Sequence, residues 1–269
     1  MLQLLRKIFG QPKLSSKVVQ QYYEEWNENY LQNFGDIFQS YATAKPGELI
    51  DYIASSAGIK NGDVILDAGC GICGPAVLMA EKFPASKITG ITISPSQTGM
   101  AEKKIAEKQL SERIKVLTAD FHEVDKNFAA GQFDVVLFLE SLVHSHDPQA
   151  ALAACKNVLC EGGTLYIKDL FRHYDVTIQN EIDYAVASVE QLIKMNVQDV
   201  KAVEQILLKQ NFEIEFVRPL QIAPDFTNGN RFMANNHFRI FKNRNEEYNG
   251  NEFQYLMYYE IKARKKSMH

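Results

Sequence analysis

Asp67-Ala68-Gly69-Cys70-Gly71-Ile72-Cys73-Gly74 is the stretch of this chain whose residue types and spacing point most directly to chemistry. It holds Gly-x-Gly-x-x-Gly, behind a short apolar run, Val64-Ile65-Leu66, and ahead of a segment with helical spacing. Gly69 and Gly71 let a backbone turn sharply and approach a ligand, and the helix start that follows offers free N–H groups to it. Nicotinamide enzymes use the same pattern, so the glycines alone do not name the ligand. Asp67 does more. A carboxylate two residues before the first glycine suits a positive or hydroxyl-rich ligand and would repel a pyrophosphate. A nicotinamide site also needs an acid roughly 20 residues on to grip the ribose. The stretch Gly90-Ile91-Thr92-Ile93-Ser94-Pro95-Ser96-Gln97 has none. Asp120 follows the next apolar run, so Asp67, Thr92 and Asp120 are three polar stops after three successive strand candidates. That arrangement places all three along the carboxyl edge of one sheet, where α/β folds bind ligands.

Proton chemistry has its own candidates in Leu139-Glu140-Ser141-Leu142-Val143-His144-Ser145-His146-Asp147. Glu140 and His144 are four apart and would share a face on a helical turn. His122 is a second candidate. Cys70-x-x-Cys73 and the Cys155/Cys160 pair have spacing that could suggest zinc. The first pair lies inside the ligand turn, where a metal would compete, and the second on a helix that starts at the other edge, so no metal is expected. With no export signal, all four are read as reduced thiols filling small apolar positions.

The elements that must hold these residues follow from apolar runs and turn residues. Strands are expected at Val64–Leu66, Lys87–Ile93, Ile114–Thr118, Phe133–Leu139 and Gly163–Asp169, and helices at Pro75–Lys82, Ser96–Lys108 and Pro148–Leu159. Asp147 should cap the last helix and Gly162-Gly163 close it. Strands alternating with helices imply βαβ units, a parallel sheet and helices on both of its faces. Ahead of this core, Ser16–Leu31 and Gly47–Ala57 read as helices. Behind it come helices at Val176–Met195 and Val197–Gln210, an alternating strand at Phe212–Leu220, an Asn-rich polar stretch within 221–251, and an aromatic strand at Phe253–Ala263. The expectation is one α/β domain with a Rossmann-like, seven-stranded, mostly parallel sheet: residues 1–60 a helical cap, 61–170 the cofactor-binding core, and 171–269 lid and pocket helices with the C-terminal strands.

Composition narrows the partners. The 269 residues carry 29 Lys plus Arg against 33 Asp plus Glu, a net charge of −4, with no basic excess to suggest nucleic acid. No run of about 18 apolar residues exists to cross a bilayer, and the first nine residues are too short and too charged for a signal-peptide core, so a cytoplasmic setting is expected.

On these motifs, from Val64 to Asp169, the chain resembles the class I S-adenosylmethionine-dependent methyltransferases. Gly-Ile-Thr-Ile-Ser-Pro-Ser-Gln resembles the version found in a subgroup acting on tocopherols, sterols, isoprenoid diphosphates and other small, often lipophilic molecules. The resemblance implies that Asp67, Gly69 and Gly71 line the methionine part of the cofactor, that Thr92, Ser94 and Gln97 surround the ribose, that Asp120 with Phe121 meets the adenine, and that Leu139 and Glu140 close the cleft. Methyl transfer from a sulfonium is an in-line displacement needing alignment, exclusion of water and a base for a proton-bearing nucleophile. His144 is the expected base or substrate anchor, with Glu140 orienting it or touching substrate. The aromatic stripe of Tyr22, Trp26 and Tyr30 is expected either to pack the core or to form a lid, with Tyr30 toward the sulfonium and Tyr22, Trp26 and His122 toward the substrate. Arg231, His237 and Arg239 could meet an anionic group. The implied partner is a small molecule, methylated on carbon or oxygen. A small amine is second, and an oxidoreductase or a non-catalytic cofactor-binding module is the rival class. A homodimer is left open.

Overall fold

In a computed structural model of the chain, the described residues are 13–39, 41, 43, 45–172, 183, 186–187, 190, 193–223 and 256–267. Two helices lead: α1 (Ser16–Phe34), whose N-cap Ser15 accepts from the Val18 N–H, and α2 (Pro46–Ala57), with Pro46 in its first turn and Gly58 in a left-handed cap. The core then alternates β1 (Val64–Ala68), α3 (Gly74–Lys82), β2 (Lys87–Thr92), α4 (Pro95–Glu107), β3 (Ile114–Thr118), β4 (Phe133–Leu139), α5 (Pro148–Val158) and β5 (Leu159–Arg172). Helix α6 (Val200–Lys209) and strands β6 (Phe212–Pro219) and β7 (Leu256–Lys265) follow. The sheet order is β3-β2-β1-β4-β5-β7-β6. Strands β1 to β5 pair in parallel, while β7 runs antiparallel between β5 and β6.

Side chains alternate between the two faces, as strand geometry requires. Ile65, Val135, Leu137 and Tyr166 enter the core under α1 to α4, whereas Leu66, Val136, Phe138 and Ile167 enter the one under α5 and α6. Both faces are therefore covered, which is why the central strands read as continuous apolar runs. Most predicted bounds fall within three residues of the observed ones. The pair Gly162-Gly163 is a correction. It does not close α5, which ends at Val158; it lies inside β5, at a break in register where Phe133 pairs with Leu159 but Val135 with Thr164. Gly162 takes φ 72° there. Asp147 does cap α5, accepting from the Ala150 N–H at 3.0 Å. Most of the helix expected at Val176–Met195 and the Asn-rich stretch lie outside the described residues.

A buried carboxylate ties the antiparallel edge together. Glu260 on β7 accepts from the hydroxyls of Tyr52 on α2 and Tyr166 on β5 at 2.6 and 2.7 Å and from Arg218 on β6 at 2.6 Å. With its acceptors filled, the charge can stay inside the protein.

Candidate active site

The carboxyl ends of β1, β2 and β4, roofed by α1, enclose a cleft of about 790 Å³ including its open mouth. The turn after β1 is fixed by steric need. Gly69 has φ 92°, and a Cβ on it would lie 2.4 Å from the Ser141 side chain. A Cβ on Gly74 would lie 1.9 Å from the Asp36 carbonyl oxygen, so the third glycine lets the segment after α1 cross the turn. The Gly69 and Cys70 N–H groups both donate to the Ile91 carbonyl at 2.9 Å. Gly71, at φ 54°, faces Phe38.

Asp67 borders this cleft, and its Oδ1 meets no hydrogen-bond partner among the described residues. Burial pushes its carboxyl up to about 7. A buried carboxylate without a donor is costly. The site therefore calls for a cationic, hydrogen-bond-donating group against Asp67.

At the end of β2, the Thr92 hydroxyl donates to Gln97 Oε1 at 2.5 Å, and Gln97 Nε2 donates to Asn27 Oδ1 on α1 at 2.8 Å. Thr92 and Gln97 border the cleft; Ser94 does not. Its hydroxyl caps α4 by accepting from the Gln97 N–H and donates to Glu24. At the end of β3, Asp120 accepts from the His122 N–H at 2.9 Å, the His122 Nδ1 at 2.5 Å and the Ser16 hydroxyl. Burial would raise its pKa, but these donors outweigh it and hold the carboxyl down at about 2. Phe121 lies edge-on to Phe138, with both Phe121 and Leu139 on the cleft wall. His122 Nε2 is 2.8 Å from the Ser145 hydroxyl.

Glu140 and His144 both border the cleft, but not as a helical pair. Glu140 has φ 59°, and the chain then enters a single 3-10 turn at Leu142–His144. Left-handed backbone at Glu140 breaks the helical register that spacing suggested. The Glu140 carboxylate pairs with Lys168, which is fully buried at the end of β5, and accepts from the Tyr41 N–H at 3.2 Å. His144 is oriented by other groups. Its Nδ1 lies 2.9 Å from the Lys194 carbonyl, which can only accept, so the proton sits on Nδ1. Nε2 then accepts from the Tyr23 hydroxyl at 2.9 Å. Burial pushes the His144 pKa down to about 4, against the opposing pull of the Lys194 carbonyl and Glu140.

Of the two readings of the aromatic stripe, the structure favours core packing over the lid. Tyr22 and Tyr30 are buried and bonded to each other at 2.9 Å between hydroxyls, and Trp26 stacks beside Tyr22. None of the three borders the cleft. The neighbouring edge of α1 does, through Ser16, Val19 and Tyr23. Spacing finds a stripe but not the direction it faces. Tyr23, Gln39 and Lys168 are the residues the sequence reading missed. Only Lys168-Asp169, two charges closing an apolar strand, left a readable signal. Lys168 donates to Gln39 Oε1 at 2.7 Å, and Asp169 fixes the 3-10 turn by accepting from the Val143 N–H at 3.0 Å. Arg231, His237 and Arg239 lie outside the described residues.

Seven strands in this order, with a glycine turn after β1 and polar residues closing β1, β2 and β3, define the Rossmann-like architecture of class I methyltransferases. Residues 66–167 match the family described as a methyltransferase domain. The cofactor of the class is S-adenosylmethionine. A sterol 24-C-methyltransferase of Gibberella zeae is 34% identical over 112 residues, covering 42% of this chain and 29% of that protein. A 27-O-demethylrifamycin SV methyltransferase of Amycolatopsis mediterranei is 31% identical over 144 residues, covering 54% and 52%. The chain thus spans about half or less of these relatives' own lengths. Over the whole chain the fold is similar to that of the cyclase SpnF, with a TM-score of 0.75 at 20% identity and coverage of 94% and 97%. One fold hosting both chemistries means that function rests on the site.

Proposed function

We propose that the protein transfers a methyl group from S-adenosylmethionine to a carbon or oxygen atom of a small, lipophilic or natural-product-like acceptor. The observation that carries this reading is Asp67, set against the glycine turn with one buried carboxyl oxygen that meets no partner among the described residues. Residues Asp67, Gly69, Gly71, Thr92, Gln97, Asp120, Phe121 and Leu139 hold the cofactor, and Ser94 acts behind them as a helix cap. When bound, the cofactor supplies an electrophilic methyl on a sulfonium. The chain's own residues align the acceptor and exclude water. His144 already carries its proton on Nδ1, and the Tyr23 hydroxyl occupies the Nε2 lone pair. An acceptor hydroxyl that displaces Tyr23 would place its proton on Nε2. Sterol carbon and rifamycin oxygen are what the two relatives' names specify.

In this reading residues 1–60 cap the core and 171–269 complete the pocket of a single domain. The acceptor is not a nucleic acid, and the setting is cytoplasmic. Among the described residues no helix is long and apolar enough to cross a membrane. Calorimetry with S-adenosylhomocysteine tests the reading: the native chain should bind it and Asp67→Ala should not. Binding of NAD in its place would overturn the cofactor. Mass spectrometry of cell extracts incubated with enzyme and cofactor, scanning for products that gain one methylene, then finds the acceptor. With that acceptor, His144→Ala should cut turnover more than cofactor affinity.

A further inference from the structure

We propose that Cys70 and Cys73 form a dithiol switch inside the cofactor turn, in which closure to a disulfide shuts the cleft to the cofactor. The inference rests on the cofactor reading above for its consequence, though not for its chemistry.

Three independent observations support it. The two Sγ atoms are 3.4 Å apart. The Cys73 N–H donates to the Cys70 carbonyl at 2.9 Å, closing a turn that keeps the two Cα atoms within about 7 Å, the span a disulfide can bridge. Second, Cys73 has φ 60°, a left-handed conformation that costs a non-glycine residue energy. A cysteine held there, at the N-cap of α3 with no capping hydrogen bond from its side chain, is directed at its neighbour instead. Third, the sheet leaves room for both sulfurs. A Cβ on Gly90 would lie 2.7 Å from the Cys70 Sγ and 2.8 Å from the Cys73 Sγ. Any larger residue at Gly90 would push the pair apart.

Access and consequence follow from position. Cys70 borders the cleft, so a small oxidant reaches it when the cofactor is absent. Forming the bond requires the sulfurs to close from 3.4 Å to about 2.05 Å. That draws in the Cys70 to Cys73 backbone, which contains Gly71 and leads into α3, and these are the groups that face the cofactor. Burial, Cys73 and the Asp67 charge push the Cys70 thiol well above its ordinary value. Little thiolate is present at neutral pH, so oxidation is slow there and accelerates about tenfold per pH unit as thiolate forms. With diamide, an azo oxidant, one thiolate adds to the N=N bond. The second thiolate then attacks that sulfur and expels the hydrazine. Two thiol protons and two electrons pass to nitrogen as one S–S bond forms.

The test uses the full chain, treated with diamide without cofactor and then freed of it. Peptide mapping should find the loss of two hydrogens in the 70–73 peptide, and S-adenosylhomocysteine affinity should fall at least about tenfold and return on reduction. Cys73→Ser and Cys70→Ser should each give an affinity, whatever its own value, that diamide no longer changes. Saturating S-adenosylhomocysteine should slow the oxidation. No bond in the native chain, or a bond with unchanged affinity, overturns the switch. If the bond forms and the reduced protein does not bind S-adenosylhomocysteine at all, the dithiol stands and the proposed cofactor function falls.

Discussion

The cleft contains two buried carboxylates that the protein treats in opposite ways. Asp67, at the end of β1, has an oxygen with no partner among the described residues and a carboxyl pushed up to about 7 by burial. Glu140, at the end of β4, is matched by a buried lysine and a backbone N–H. One half of the cleft therefore keeps a buried carboxyl oxygen without a donor among the described residues. The other is finished, and its charges hold the walls in place. Through Gln39 and Tyr41, the Lys168–Glu140 pair also fastens the segment after α1 against β4 and β5. A site that waits binds its ligand, while a site already satisfied positions one.

Breaking the finished half should have the largest effect. Lys168→Met leaves Glu140 buried without its cation and should cost about 3–5 kcal/mol in urea unfolding. The double variant Lys168→Met/Glu140→Gln should recover much of that loss, because the uncompensated charge is gone. Equal losses in both would mean that the pair is not the source of the stability.

Asp67→Asn should act in the opposite sense on the two properties. It removes a carboxylate whose folded pKa lies above its unfolded value. Such a group is uncharged and harmless below the unfolded pKa, and it destabilises increasingly as pH rises to about 7, above which the cost is constant. The variant should melt higher than the native chain at pH 8, and equally at pH 4, yet bind S-adenosylhomocysteine at least about tenfold more weakly. A variant that melts lower at pH 8 would show that Asp67 has a partner after all.

The same proton gives a smaller, graded signal in the native chain. Below about 7 the Asp67 carboxyl is protonated and offers the ligand cation no charge. Affinity for S-adenosylhomocysteine should rise about tenfold between pH 6 and pH 8 and then level off, with proton release seen by calorimetry in buffers of different ionisation heat. A flat profile would remove Asp67 from the contact. Smallest of all, Ser94→Ala should cost about 1 kcal/mol of stability through the lost cap on α4. It should change cofactor affinity less than Thr92→Ala, because Thr92 borders the cleft and Ser94 does not.

The incomplete half of the cleft was also the legible one. Its parts are local. Asp67 and Thr92 close their strands, the glycine turn opens directly after β1 and Asp120 lies two residues past β3, and a strand end in an α/β sheet has only one place to be. The finished half was harder to read because its partners come from distant elements. Glu140 meets Lys168 across β4 and β5, and His144 meets Tyr23 from α1, 121 residues earlier. The four-residue spacing of Glu140 and His144 misled because a left-handed residue opens the turn. The Tyr22, Trp26 and Tyr30 stripe stayed open between core and lid because periodicity fixes which residues share a face and leaves open what that face meets.

By itself the sequence determined the sheet, the order in which polar residues close its strands, and the glycine turn, since these depend on periodicity and on backbone sterics within a few residues. Only the tertiary structure decided that an Asp67 oxygen meets no partner among the described residues, that Glu140 is matched by Lys168, that Tyr23 and not Tyr22 faces the cleft, and that two cysteine sulfurs meet over Gly90. Each of those is a matter of which charge or surface lies opposite another. Burial and long-range pairing set that, and no local pattern encodes it.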